Sequence, residues 1–224
     1  ELDVIKSAIV RNVSHELRTP LLQVKSAIAL LDEEIAPNTP SSRIISMATQ
    51  AVGRLESTVS SITQLAESQN LKLEPVALGE SVDLAIRNLE RSWKSHYDYS
   101  RIKKLYADDL PLARGDKRGI AQVLQILLDN ALKFSPDGGS VEVILKPRPD
   151  GTIWIGVRDH GIGIPQDKLA HIFESFYQVE SSSTRRFSGV GVGLTLASFI
   201  LEKLGSSIQV ESEPGQGSTF SFVL

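Results

Sequence analysis

Two apolar seams in the first third of the chain constrain the fold more than any other feature. Leu17, Leu21, Val24, Ile28, Leu31 and Ile35 recur at alternating spacings of four and three. Ile45, Ala48, Val52, Leu55, Val59, Ile62 and Ala66 resume the same heptad rhythm after a Pro-Asn-Thr-Pro-Ser turn at 37–41. Heptad spacing keeps one stripe of a helix facing a partner. Residues 1–36 therefore read as one long helix, followed by a second that Ser41 or Ser42 can cap. The short turn makes the pair an antiparallel hairpin. One hairpin leaves much of both seams in water, whereas two close a four-helix bundle, so the pattern predicts a homodimer.

The first helix carries an exposed histidine. At 100° per residue, His15 lies roughly 160° round from Leu17, nearly opposite the seam. Thr19, one turn later, points the same way, and Glu16 sits beside the imidazole. Pro20 falls inside the run and predicts a kink next to His15. The kink reads equally as bundle shaping or as a hinge that changes access to the histidine.

Composition narrows the classes. The 224 residues are 41% hydrophobic, enough for a core, and the net charge of −3 gives no basic surplus for nucleic acid. There is no cysteine, which excludes disulfides and thiolate zinc. No apolar run approaches the ~20 residues of a membrane span, and no signal peptide is visible. The chain opens in helical rhythm without an initiator Met. It reads as a cytoplasmic fragment that makes no membrane contact itself, with a membrane-anchored sensor upstream left open.

Patterning changes near residue 70, which predicts domains at 1–70 and 71–224. Leu71–Leu78 reads as a short strand, 79–95 as a helix, 101–106 as a strand and Leu110–Gly115 as a loop. Asp116 caps a helix running to about 134. Strand patterns follow at 141–147, 152–158, 207–212 and 218–223. The expected fold class is α+β: a helical hairpin, then a mostly antiparallel sheet covered by helices on one face.

Several motifs in this second part can carry chemistry. Gln122–Ser135 places Asn130 and Lys133 on one helix face, where an amide oxygen suits Mg²⁺ and an ammonium suits phosphate. Read alone, that pair is more often a solvated stripe. Asp159-His160-Gly161-Ile162-Gly163 follows a strand, so its carboxylate can accept from an exocyclic amine; read alone, it is a glycine-rich turn. Gly189-Val190-Gly191-Val192-Gly193-Leu194 runs into a helix whose N-terminus favours anions. A dinucleotide-binding glycine motif is rejected there, because no parallel βαβ series precedes it. The small, polar stretch 177–188 has the character of a lid, and Arg185 and Arg186 read equally as phosphate contacts or as solvated loop arginines. Phe173 and Phe176 precede it and can anchor the lid or fill the core.

Together, in this order, the motifs resemble the catalytic core of a two-component sensor histidine kinase over essentially the whole chain. Ser14–Leu21 resembles the phosphoacceptor box and Gln122–Ser135, with Phe134, the Asn box. Asp159–Gly163 and Gly189–Leu194 resemble the two glycine boxes, and Phe173–Phe176 the phenylalanine box. Gly215–Phe220, which contains Thr219, resembles the terminal strand motif. The resemblance implies a dimerisation and phosphotransfer domain followed by a Bergerat-type ATP-binding domain, with ATP and Mg²⁺ as cofactors and a response-regulator receiver as partner. It implies that His15 attacks the γ-phosphate, that Glu16 orients it and takes its other ring proton, and that Thr19 positions water for dephosphorylating the regulator. Asp159 would hold the adenine amine, Asn130 the metal and Lys133 the phosphates. A domain swing would bring ATP to His15, with Glu67–Glu74 as its hinge.

One departure bears on activity. The family's Asn box carries two asparagines four apart, and Ile126 occupies the first position. Weakened but not abolished nucleotide chemistry is expected. A pseudokinase scaffold is the competing reading, and a relative of the Bergerat-fold chaperones and topoisomerases a third, disfavoured by the Ser-His-Glu-Leu-Arg-Thr-Pro helix.

Overall fold

The computed structural model describes residues 17, 21–32, 39–67, 71–92, 98–106, 109–135, 138–174, 177 and 192–224. His15, Glu16, Thr19 and Pro20, and with them the expected kink, lie outside the described residues, as do Phe176, Arg185, Arg186, Gly189 and Gly191.

Residues 21–32 form helix α1, and Pro40–Glu67 form α2. The cap of α2 is Thr39 rather than Ser41 or Ser42. Its Oγ1 accepts from the Ser42 amide at 3.2 Å, and its carbonyl accepts from the Ser42 hydroxyl at 2.8 Å. Pro40 then takes the first helical position, where its missing N–H costs nothing. Burial divides each seam in two. Ile45, Val52 and Val59, seven apart, are buried, while Leu55 is exposed. On α1, Leu21 and Ile28 are half-buried, while Val24 and Leu31 are exposed, as is Leu17, ahead of α1 in the sequence. The described seam positions thus alternate between buried and exposed.

The remaining elements run β1 (Glu74–Val76), α3 (Leu78–Ser92), β2 (Ile102–Leu105), β3 (Ala113–Gly115), α4 (Lys117–Lys133), β4 (Val141–Pro147), β5 (Ile153–Arg158), α5 (Gly193–Lys203), β6 (Gln209–Glu213) and β7 (Gly217–Val223). The main sheet has the order β2-β4-β5-β7-β6, with β2 parallel to β4 and every other pair antiparallel. Residues expected as the loop Leu110–Gly115 include a strand, β3, which pairs antiparallel with β1. The strand expected over Leu71–Leu78 shrinks to the three residues of β1, and α3 already begins at Leu78. Such short strands exist because they have a partner, and they carry no alternation long enough to read.

Period-two patterning sets the faces of the sheet. Ile153, Ile155 and Val157 of β5 point inward and are essentially fully buried. They meet Val82, Ala85 and Leu89 of α3, Leu124 and Leu128 of α4, and Ala197 and Ile200 of α5 in one core. Each Val, Leu or Ile among them contributes about 1.5–3 kcal/mol by leaving water. Trp154, Gly156 and Arg158 take the other face. The Trp154 ring lies flat over Gly156, so a Cβ there would come 2.2 Å from its Cη2.

Asp116 joins the N-terminal side of this unit to α4. Its Oδ1 caps α4 through the Gly119 amide at 2.8 Å, and its Oδ2 accepts from the Lys72 amide at 2.8 Å. Leu71 lies close over Gly119, where a Cβ would be 3.0 Å from its Cδ2. Leu71 and Lys72 therefore belong to the packing of the sheet unit, although the expected hinge Glu67–Glu74 included them. Among the described residues, no helix is long and apolar enough to cross a membrane.

Gly156→Ala is expected to swing Trp154 off the sheet. In a Trp93→Phe background the emission of Trp154 should shift to the red, with a loss of about 1 kcal/mol in urea unfolding. An unshifted spectrum would show that the ring does not depend on the glycine.

Candidate active site

Asp159 follows the last residue of β5 and is buried. Its amide donates to the Ser218 carbonyl at 2.9 Å, which continues the β5–β7 ladder by one step. Its Oδ1 accepts from the Gly161 amide at 2.8 Å and from the Ser135 hydroxyl at 3.5 Å, the long limit of a hydrogen bond. Burial raises the carboxyl above the usual range, and the bonds from Gly161, Ser218 and Ser135 only partly oppose it. A buried carboxylate with acceptor capacity to spare suits a ligand amine.

The loop that follows is stitched on both sides. Toward α4, the Ile162 amide donates to the Phe134 carbonyl at 3.1 Å. Toward β6 and β7, Gly215 N donates to Ile162 O at 2.8 Å and Ile164 N to Ser212 Oγ at 2.8 Å. Gly161 permits this approach, because a Cβ there would lie 2.1 Å from Phe134 O. Gly163, at φ +65°, would place a Cβ 2.0 Å from Glu213 O. The two glycines thus close protein backbone around Asp159.

The end of α4 supplies the second group. Asn130 and Lys133 are partly exposed on its last turn. The Lys133 Nζ lies 4.8 Å from the centroid of the Phe134 ring. Burial pulls the Lys133 ammonium below the usual lysine range, against the opposing charge of Asp129. Asp129 is itself raised by burial, against Lys133, and its Oδ1 is buried without a hydrogen-bond partner. Sequence reasoning passed over Asp129 and Ser135, although both stand inside the run that carries Asn130. Among the described residues, no group of three or more His, Asp or Glu side chains could hold a metal. An Mg²⁺ ion keeps water and phosphate oxygens as most of its ligands, so a single amide oxygen from Asn130 fits its needs.

The third group is the start of α5. Gly193 opens the helix, and a Cβ there would lie 3.3 Å from Ile126 Cγ2. Ile126 therefore packs against α5 from α4, one turn before Asn130. Val192 precedes the helix without a side-chain cap, which leaves the first amides of α5 free of that competitor. Leu194 and Phe173 are half-buried against the core. The Thr195 hydroxyl donates to the Phe173 carbonyl at 3.0 Å and so ties the phenylalanine and second glycine segments together. Thr219 is not brought to Asp159. It pairs with Arg158 and shares that residue's face of the sheet, away from the carboxylate. Ser218, one residue earlier, is the neighbour of Asp159, because consecutive strand residues point to opposite faces. A cleft among Leu73, Arg114, Thr152, Ser206 and Gln209 lies at the far end of β5 and shares no residue with this constellation.

The chain matches two family models. Residues 115–224 match the histidine kinase-, DNA gyrase B-, and HSP90-like ATPase family, and residues 5–71 match the His Kinase A (phospho-acceptor) domain. Sensor histidine kinase WalK of Bacillus subtilis (strain 168) is 32% identical over 230 residues, covering 100% of this chain and 37% of the relative. Drug sensory protein A of Synechocystis sp. is 33% identical over 238 residues, covering 100% of this chain and 35% of the relative. The chain thus spans little more than a third of these relatives. Full-length ShkA, solved in complex with AMPPNP, aligns with a TM-score of 0.66 at 27% identity, over 96% of this chain and 45% of that one. The mycobacterial sensor histidine kinase MprB aligns with a TM-score of 0.54 at 28% identity, over 68% of this chain and 97% of that one. With the phospho-acceptor family over its helical part and the ATPase family over its sandwich, the chain belongs to the sensor histidine kinases and is a catalytic core of that family.

Proposed function

We propose that this core phosphorylates His15 from Mg-ATP, passes the phosphoryl group to an aspartate of a response-regulator receiver, and removes it from that regulator with the help of Thr19. The observation that carries the nucleotide half is the buried Asp159 carboxylate, which has acceptor capacity left for the adenine amine. Lys133 at the end of α4 and the first amides of α5 answer the phosphates. Mg²⁺, when bound at Asn130, supplies charge neutralisation. A ring nitrogen of His15 attacks the γ-phosphorus as the bond to ADP breaks, and Glu16 takes the proton from the other nitrogen. Neutral imidazole is a competent nucleophile near pH 7. Phosphoryl transfer asks mainly for positioning and charge neutralisation.

Two surfaces support the partners. Leu17, Val24, Leu31 and Leu55 are the exposed halves of the seams, which a second hairpin covers in a homodimer. Leu22, Gln23, Ser26, Ala27 and Leu30 form a separate exposed stripe along α1, beginning seven residues after His15 in the sequence. A receiver collecting phosphate from His15 has this stripe within reach. The division into 1–70 and 71–224 is part of the same reading.

With labelled ATP and Mg²⁺, the wild-type chain should acquire acid-labile label and His15→Gln should not. No label on wild type under any condition would favour a scaffold instead. In the same assay Ile126→Asn is expected to label faster; an equal or slower rate would mean that Ile126 costs nothing.

Asp159 is harder to ionise in the folded chain than in the unfolded one. Its destabilising effect sets in as pH rises past the usual carboxylate value and is complete above the raised folded value. At neutral pH, Asp159→Asn should therefore raise the melting temperature by about 2–5 °C while weakening Mg-ATP binding. Binding by wild type should fade as pH drops through the raised value. Unchanged affinity in the variant would remove Asp159 from the site.

Leu31→Asp places a charge in the shared seam and should convert the dimer to a monomer in light scattering. A dimer that persists would assign the exposed seam to another partner.

A further inference from the structure

The loop from α4 to β4 is held from two sides. On the site side, Ser135 is buried and its hydroxyl faces Asp159 Oδ1. On the other side, Arg101, in the turn Tyr99–Arg101 that leads into β2, reaches the same loop. Its Nε donates to the Gly139 carbonyl at 2.7 Å, and its Nη2 donates to the Ser135 carbonyl at 2.9 Å. Both are bonds of normal length.

A guanidinium can span two acceptors in one plane, whereas a lysine ammonium is a point donor on a flexible stem. The cation also stands just past the C-terminus of α4, where the helix dipole favours positive charge. Two carbonyls clamped by one side chain fix the direction in which Ser135 offers its hydroxyl. The neighbouring Phe134 carbonyl is already taken by Ile162, so the loop has little freedom to compensate.

We propose that Arg101 is a positioning residue for recognition of the nucleobase. By holding Ser135 and Gly139, it sets how Asp159 presents its carboxylate to the 6-amino group of a purine. The inference rests on the reading of Asp159 as the adenine acceptor. Arg101 is engaged by the Gly139 and Ser135 carbonyls, so its effect falls on base discrimination through Ser135.

The test compares calorimetric affinities of the full chain for Mg-ATP and for Mg-ITP, whose base carries a 6-oxo group in place of the amine. Wild type should prefer ATP. Arg101→Lys should cut that preference by about three- to tenfold, through weaker ATP binding, with its melting temperature close to wild type. Ser135→Ala should reproduce the loss, and the double variant should lose no more than either single one, as two steps of one path require. Equal melting loss and equal weakening of both nucleotides in Arg101→Lys would make Arg101 a mere staple and overturn the proposal. So would additive losses in the double variant. Asp159→Asn separates the two layers, since its amide can donate to a 6-oxo group. If it leaves the preference for ATP intact, the reading of Asp159 fails. If it abolishes the preference while Arg101→Lys retains it, the inference about Arg101 alone fails.

Discussion

The burial of the Asp159 carboxylate depends on three backbone segments meeting closely: the end of α4, the loop after β5 and the turn between β6 and β7. Each approach is closer than a Cβ would allow, and each is fastened by a backbone hydrogen bond, from Ile162 to Phe134 and from Gly215 to Ile162. The apolar inner face of the sheet makes this possible. Phe220 and Phe222 of β7 and the isoleucines of β5 anchor the strands to α3, α4 and α5, so the loops at the strand ends start from fixed positions. Core packing thus supports a carboxylate held in an environment that resists its charge.

The helical part solves a different problem. Its described seam positions divide, with Ile45, Val52 and Val59 buried and Leu55 exposed. An incomplete bundle is a reason to associate, and association would set two nucleotide domains beside two histidines. Leu71 packs over Gly119 in the sheet unit, and Asp116 secures Lys72 to the N-terminus of α4. One carboxylate therefore caps a helix and anchors the chain that enters from the bundle.

Much of this was legible in the residues. The cap at Asp116, the extent of α4 and the strands β4, β5 and β7 follow from local signals: a capping side chain, a 3.6-residue period and alternation. The cap of α2 shows the limit, since Thr39-Pro40-Ser41-Ser42 offers three hydroxyls and only the path of the backbone chooses Thr39 among them. Strand β3 was illegible because Ala-Arg-Gly has no pattern of its own and is a strand only through β1. Thr219 looked like the functional hydroxyl of its motif, and a one-residue step along β7 turned it to the wrong face.

What the residues determined alone was periodic or local: the two seams, the order of the motifs and the family they resemble. These depend on spacing along one element, which sequence states directly. The tertiary structure decided which distant groups share a space. It put Ser135 and Ser218 beside Asp159, Thr195 on Phe173, Ile126 on Gly193 and Arg101 behind the site. Those pairings depend on how far two segments approach, and that distance is set by the whole core together.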